Sequence, residues 1–284
     1  MSDNNDIKVS IIMGIYNCEQ TLEQSINSII NQDYKNWELI MCDDCSTDDT
    51  YRIAKKYADI YPKKIKVIRN DKNLTLAPSL NKCIQLATGK YIARQDGDDL
   101  SSSDRLSKQV NFLENNQEYD LVGTSMTSFN KKGEIGVHCL KEIPDKNDMI
   151  YGITFAHATI LIKTEVMKSL NGYCKEGYCK QLEDYELWSR FFLKGYRGYN
   201  LKDSLYYVRE DENSYKRRNV KRRLRCIRLR WIVARRLKFS IKGYLLGLKD
   251  VIALFIPGKI FELYYKRKLK HIQIEENQDE YTFN

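Results

Sequence analysis

Four times in the first hundred residues a short apolar run precedes or follows an amphipathic helix pattern, and this alternation limits the fold more than any other feature. Lys8-Val-Ser-Ile-Ile-Met13, Glu38-Leu-Ile-Met-Cys42, Lys64-Ile-Lys-Val-Ile-Arg69 and Tyr91-Ile-Ala93 read as strands. Between them, Leu22, Ile26, Ile29 and Ile30 share one helical face. The loop Asp43-Asp44-Cys-Ser-Thr-Asp48 is rich in capping residues and opens a second helix from about Asp49 to Tyr61. Pro78 to Ala87 predicts a third, with proline near its first turn and Gly89 as its stop. Such alternation predicts a parallel α/β sheet with right-handed crossovers. Ligands bind beyond the carboxyl ends of the strands in sheets of this kind. Three loops fall there: Gly14-Ile-Tyr16-Asn17, Asp43-Asp44 and Asp96-Gly-Asp98.

The third loop is the most pointed. Asp96, Asp98 and Asp99 surround Gly97, which lets the backbone bend so that the first two carboxylates reach one bound group. Hard divalent cations such as Mg²⁺ take carboxylate oxygens together with substrate phosphates. Taken alone, an Asp-x-Asp reads first as a solvated acidic turn. Convergence with two other strand-end loops favours the metal site.

Beyond Asp99 the texture becomes α+β. Ser103 to Asn115 and Glu183 to Gly195 read as helices, and Tyr119–Thr124, Ala158–Ile162 and Leu205–Val208 as strands. This half is expected to form the other wall of a cleft. The eight cysteines are scattered through apolar patterns and no secretory signal precedes them, so a reduced, cytoplasmic protein with buried thiols is expected. Cys42-Asp-Asp-Cys45 has redox or half-zinc spacing, but no second Cys or His pair completes it.

The strand-end residues resemble those of the bacterial family 2 glycosyltransferases, of capsule, exopolysaccharide and O-antigen type. The resemblance runs from Lys8 to about Arg209 and its segments come in order. They are Val9-Ser-Ile-Ile-Met-Gly-Ile-Tyr-Asn17, Asp43-Asp44-Cys-Ser-Thr-Asp48, Leu80-Asn81, and Tyr91-Ile-Ala-Arg-Gln-Asp-Gly-Asp-Asp99 with Arg105-Leu106 and Gln109. His157, Gly172-Tyr173 and Glu183-Asp184-Tyr-Glu-Leu-Trp188-Ser-Arg190 follow. The resemblance implies a GT-A fold, a Rossmann-like mixed sheet flanked by helices, and an inverting transfer from a nucleotide-sugar, expected to be a UDP-sugar. It implies that Gly14 and Tyr16 line the nucleotide base and that Asp44 accepts hydrogen bonds from the base or ribose. Asp96 would face the ribose, and Asp98 would hold the divalent metal, Mn²⁺ or Mg²⁺. Asp184 would be the general base. Two positions depart from the family: Gly14 replaces Pro, Ser or Thr, and Thr75 replaces a glycine.

Several of these residues have structural readings too. Asp44 is a favoured helix cap, and Asp184 is a carboxylate suited to a first helical turn. His157 is as readily a core histidine as a ligand contact. Arg94 and Arg105 read as ion-pair partners of the acidic loop, and Trp188 as packing or as a platform for an acceptor sugar.

The net charge of +9 conceals a polarity. Residues 216–270 hold 19 basic and two acidic residues, against 28 and 36 in the remainder. Arginines flank Leu224, Ile227, Trp231 and Ala234, and an apolar stripe runs from Ile241 to Phe255 before the Pro257-Gly258 break. Basic and apolar faces together predict helices lying on an anionic membrane surface; packing on the catalytic domain is the other reading. The aromatics do not interleave with the cations, which argues against nucleic acid. No run approaches the ~20 apolar residues of a spanning helix. The expected organisation is a catalytic domain over 1–215, a basic membrane-associating segment over 216–270 and a disordered acidic tail over 271–284. The expected location is the inner face of the cell membrane, with a lipid-linked or oligosaccharide acceptor. A nucleotidyltransferase would need a glycine-rich basic loop after the first strand, which Met13-Gly-Ile-Tyr-Asn17 lacks. A non-catalytic membrane adaptor on the same fold is the further alternative.

Overall fold

The computed structural model describes residues 7–210, 220–240 and 244. Its first half follows the alternation: β1 (Val9–Ile15), α1 (Leu22–Ile30), β2 (Trp37–Asp43), α2 (Thr50–Ile60), β3 (Ile65–Arg69), α3 (Leu76–Leu86) and β4 (Tyr91–Arg94). After β4 come β5 (Leu100–Ser101), α4 (Arg105–Asn115), β6 (Leu121–Asn130), β7 (Gly133–His138), β8 (Leu161–Lys163) and α5 (Thr164–Ser169). The described chain closes with α6 (Glu183–Leu193), β9 (Gly198–Arg209) and α7 (Val220–Arg236).

Among the described residues one sheet runs in the order β3-β2-β1-β4-β8-β6-β9-β5, with β7 on β6. Strands β3, β2, β1 and β4 are parallel. The parallel half of the sheet ends at β8, which pairs antiparallel with both β4 and β6. Between β7 and β8 the chain forms only the 3₁₀ turns Asp148–Ile150 and His157–Thr159, with no crossover helix to bring β8 back parallel. The resulting mixed sheet flanked by helices is the architecture that the family resemblance implies.

Continuous apolar runs arise because both faces of the sheet are covered. Alternate residues of a strand point to opposite faces. Thus Ile12, Ile40 and Ile92 pack on one side with Leu80, Ile84, Trp188 and Phe191, from α3 and α6. Ile11, Met13, Leu39, Met41 and Ala93 pack on the other with Leu22, Ile26, Ala54, Leu106 and Val110, from α1, α2 and α4.

Helix α7 joins the first of these cores. Leu229, Val233 and Leu237 are buried there, each contributing about 1.5–3 kcal/mol through lost apolar exposure. Arg236 bonds Glu186 at 2.7 Å, and Arg230 Nη1 donates to the Ile150 carbonyl. The described part of the basic segment therefore packs on the catalytic domain. Its outward face still carries Leu224, Trp231 and Arg235. The stripe beyond Tyr244 and the acidic tail lie outside the described residues, and no described helix is long and apolar enough to cross a membrane.

One cysteine expectation is corrected. Cys174 and Cys179 form a disulfide, with Cα atoms 6.2 Å apart, because the 3₁₀ turn Gly177–Cys179 folds the chain back on itself. Of the other six, only Cys42 and Cys83 are buried.

At the amino ends of the parallel strands, away from the ligand loops, Glu38 is a buried anchor. It accepts hydrogen bonds from Ser10 Oγ at 2.7 Å, Thr88 N at 2.9 Å and Thr88 Oγ1 at 2.7 Å, and Lys8 lies 3.1 Å away. Burial opposes ionisation, but these donors outweigh it and hold the carboxyl down to about 2. A depressed folded-state pKa contributes stability above the unfolded value of ~4.3, lost as pH falls towards 2. Allowing for solvent on the lysine side, the contribution is about 2 kcal/mol. Glu38→Gln is therefore expected to lower stability by about that amount at pH 7. Urea titrations of both proteins should show the gap closing as the pH is lowered through this range; a gap constant with pH would refute the assignment.

Candidate active site

The parallel strands end level with one another, and that sets the site. Ile15 pairs with Asp43 across β1 and β2, and Ile12 with Arg94 across β1 and β4. Two backbone bonds carry the register into the loops, Asp44 N to the Ile15 carbonyl and Gln95 N to the Ile12 carbonyl. The loops after β1, β2 and β4 thus emerge side by side.

A cleft of about 590 Å³ opens there. Gly14, Tyr16 and Asp44 line one side, residues 73–79 form a second wall, and Cys174–Gly177, Lys180, Gln181 and Glu183 close the third. The three residues expected to meet the nucleotide base are together. Asp96, Asp98 and Asp184 are not among the lining residues; Glu183, the neighbour of Asp184, is.

Asp44 does not cap α2. Its Oδ1 accepts from Asn70 Nδ2 at 2.7 Å and Leu74 N at 2.8 Å, and its Oδ2 from Thr75 N at 2.7 Å. The carboxylate therefore shapes the cleft wall that leads into α3. Thr75 is held at φ +76°, a region where a β-branched residue is strained and glycine is at ease. The family's usual glycine at this position has that physical basis. Gly14 faces the same wall, and a Cβ there would meet Leu76 Cδ1 at 2.8 Å.

The acidic turn is built around Arg94. This buried guanidinium grips Asp96 with both ends, Nη1 to Oδ2 at 2.6 Å and Nη2 to Oδ1 at 2.5 Å. Burial opposes its charge, yet Asp96 holds it above the ordinary arginine value. Asp96 N donates to Tyr206 Oη at 3.0 Å. Gly97 is needed for close approach, since a Cβ would meet Cys18 Sγ at 2.9 Å. Asp98 is exposed. Asp99 is buried and accepts from Arg209 N at 2.7 Å. Burial first, then the charges of Asp96 and Asp98, push its carboxyl up to about 8. Oxygens of the three carboxylates lie within 4.8 Å of one another. Three acids so close that one resists ionisation make a donor set that fits a hard divalent cation.

Arg105 differs from its expected role. Its guanidinium meets no carboxylate: Nη2 donates to the Arg94 carbonyl at 2.9 Å, Nη1 to Ser101 Oγ at 2.9 Å, and Nε to Gln109 Oε1 at 3.1 Å. Burial lowers it to about 10. It ties the acidic turn to α4.

On the opposite side, Glu183 and Asp184 begin α6. Burial raises both above the usual carboxylate range, and in each case the charge of Arg94 works the other way. His157 Nε2 and Tyr173 Oη are 2.8 Å apart. Burial and then Arg94 push the imidazole well below its ordinary value, so it is neutral. Trp188 is fully buried and cannot reach an acceptor sugar. Two further motif segments are joined by Asn81, whose side chain bonds Tyr173 N and the Tyr173 carbonyl at 2.7 and 2.8 Å. Gly172, at φ +63°, leaves room for that amide.

The sequence alone gives no role to Arg209, Tyr206, Gln181 or Lys180. They come from β9 and from the 3₁₀ loop, far along the chain from the strand-end loops, and no local spacing marks them.

The sequence profile of Glycosyl transferase family 2 matches residues 10–167. The chain belongs to this family. It is therefore a glycosyltransferase. EpsE of Bacillus subtilis strain 168 is 47% identical over 266 residues, which cover 94% of this chain and 96% of EpsE. The Escherichia coli UDP-Glc:alpha-D-GlcNAc-diphosphoundecaprenol beta-1,3-glucosyltransferase WfaP is 31% identical over 202 residues, covering 70% of this chain and 77% of WfaP. The mannosyltransferase PcManGT of Pyrobaculum calidifontis, solved with GDP-Man and Mn²⁺, superimposes with a TM-score of 0.65 at 18% identity, over 91% of this chain and 79% of that one. The last likeness is one of fold, the GT-A fold.

Removing the Asp44 carboxylate leaves the Leu74 amide without its acceptor and the Thr75 amide with only Asn73 Oδ1, at 3.2 Å, a loss of about 1–3 kcal/mol. Asp44→Ala is expected to be destabilised by that amount in urea and to bind UDP more weakly by calorimetry. Unchanged stability would show that another group holds the 73–75 wall.

Proposed function

We propose that this glycosyltransferase moves a sugar, with inversion, from a nucleotide-sugar to a lipid-linked saccharide in bacterial surface polysaccharide synthesis. The observation that carries the reading is the pairing of a nucleotide-sized cleft, lined by Gly14, Tyr16 and Asp44, with the three-carboxylate cluster. The name of WfaP, which specifies a UDP-sugar donor and a diphosphate-linked lipid acceptor, supports the choice of both substrates. The outward basic and apolar face of α7 is compatible with work at a membrane surface.

In this mechanism Tyr16 and Asp44 hold the nucleoside, with Asp44 using the Oδ2 lone pair that its three donors leave free. Asp96, fixed by Arg94, faces the ribose. Asp98 would hold a divalent cation, Mn²⁺ or Mg²⁺, which offsets the negative charge that develops on the departing diphosphate. Asp184 takes the proton from the acceptor hydroxyl as its oxygen attacks the anomeric carbon. The bond from that carbon to the diphosphate breaks on the opposite side, and the nucleoside diphosphate leaves with the electron pair. A single base with no nucleophilic partner accounts for inversion, by analogy with inverting glycosidases.

A donor screen with transfer measured by product release tests the scheme. Asp98→Ala is expected to abolish metal-dependent turnover with an unchanged far-ultraviolet spectrum; full turnover would remove Asp98 from the metal site.

Asp184→Asn should keep donor affinity and lose a factor of about 10²–10⁴ in transfer. Glu183→Gln, the neighbouring cleft residue, should lose far less; the reverse order would move the base by one residue. The base acts only when unprotonated, and burial raises Asp184. The acid limb of the wild-type pH–rate profile should therefore lie above the ~3.9 of an ordinary aspartate.

A further inference from the structure

The basic helix stands against the wall of the cleft, and its position marks a second binding region. Arg222, Arg225 and Arg228 recur every three residues along α7 and approach the segment 178–184. Arg225 Nη2 donates to Gln181 Oε1 at 3.0 Å, and Gln181 lines the cleft. The Arg228 guanidinium lies 5.2 Å from the centre of the Tyr178 ring. The charge of Arg222 acts on Asp184. Lys180, exposed on the cleft wall, adds a further cation.

One atom in this group points to a ligand. Arg225 Nε is buried and has no hydrogen-bond partner among the described residues. Leaving a charged donor buried and unpaired is unfavourable; the Arg225 side chain as a whole is only half-buried, so a rotation of its guanidinium presents this donor to an anion at the rim. Guanidinium groups match phosphate oxygens in planar, paired hydrogen bonds. Three residues of helix rise about 4.5 Å, so Arg225 and Arg228 can each meet one phosphate of a single diphosphate.

We propose that Arg225, Arg228 and Lys180 form an anion subsite at the rim of the cleft that takes the diphosphate of the acceptor. The proposal rests on the reading of the protein as a transferase with a lipid-linked acceptor, and names which part of that acceptor is held. Bilayer headgroups offer the same phosphate chemistry. The acceptor is favoured because Arg225 turns inward to a residue of the cleft wall, whereas Lys221, Arg235 and Lys238 are the exposed cations a flat surface would meet first.

Farnesyl diphosphate is the probe for the acceptor diphosphate, titrated by calorimetry into the full chain with the nucleotide pocket filled by UDP and Mn²⁺. Vesicles containing phosphatidylglycerol probe the headgroups. Arg225→Gln/Arg228→Gln is expected to lose affinity for farnesyl diphosphate by about tenfold or more, the worth of one charge-assisted hydrogen bond. Its UDP affinity should stay within about twofold of wild type, since neither side chain lines the nucleotide cleft. Arg228→Gln alone, at an exposed position that folding can spare, should lose about threefold. Equal affinity in all three proteins, or no binding by wild type, overturns the proposal. Loss of vesicle binding with farnesyl diphosphate affinity intact overturns it too and assigns the arginines to headgroups. Arginine-dependent binding of farnesyl diphosphate by a wild-type protein that binds no nucleotide would support the subsite while refuting the nucleotide-sugar reading.

Discussion

A buried guanidinium at the end of the fourth strand holds the site together. Arg94 is almost wholly enclosed, and isolated burial of such a charge would be prohibitive. It persists because both ends of the fork are met by Asp96. A buried ion pair adds little net stability in general, since desolvation offsets attraction. Here its consequence is geometric. Asp96 is fixed, Asp98 and Asp99 follow it in the same turn, and the positive charge reaches Glu183, Asp184 and His157 on the other side. Burial keeps His157 neutral with this cation adding to the effect, and the same cation eases the ionisation of Glu183 and Asp184.

The surrounding structure is arranged to keep that turn where it is. Arg105 spends its donors on neutral carbonyls and amides around β4 and α4. Tyr206 accepts the Asp96 amide, and Arg209 donates to Asp99. These last two belong to β9, so the late strand of the sheet completes a loop defined by the early ones. On the nucleotide side Asp44 does similar work. It shapes the wall of the cleft from within and forces Thr75 into a backbone region that glycine would occupy without strain.

Several sequence motifs turn out to be structural links. Asn81 reaches across to the backbone of Tyr173, Gly172 makes space for it, and Tyr173 in turn pairs with His157. The motif segments Leu80-Asn81, His157 and Gly172-Tyr173 are thus parts of one bridge between α3 and the far wall. They align the two halves of the cleft. Trp188 is likewise core.

What the sequence determined by itself was the alternating half of the fold and the residues at its strand ends. Continuous apolar runs and helical stripes are local, so four strands, three helices and the convergence of Tyr16, Asp44 and Asp96–Asp99 were legible. The family motifs were legible for the same reason. Only the tertiary structure decided the antiparallel turn at β8, the disulfide that folds the 174–179 loop, and the docking of α7 on the first core. The first and the last depend on contacts between residues distant in the chain, which no local pattern records, and the disulfide joins cysteines five residues apart through a turn that no residue spacing marks. It also separated the acidic turn into an arginine-held Asp96, an exposed Asp98 and a buried Asp99. Identical side chains acquire different chemistry there because solvent and neighbouring charge, set by packing, differ over a few ångströms.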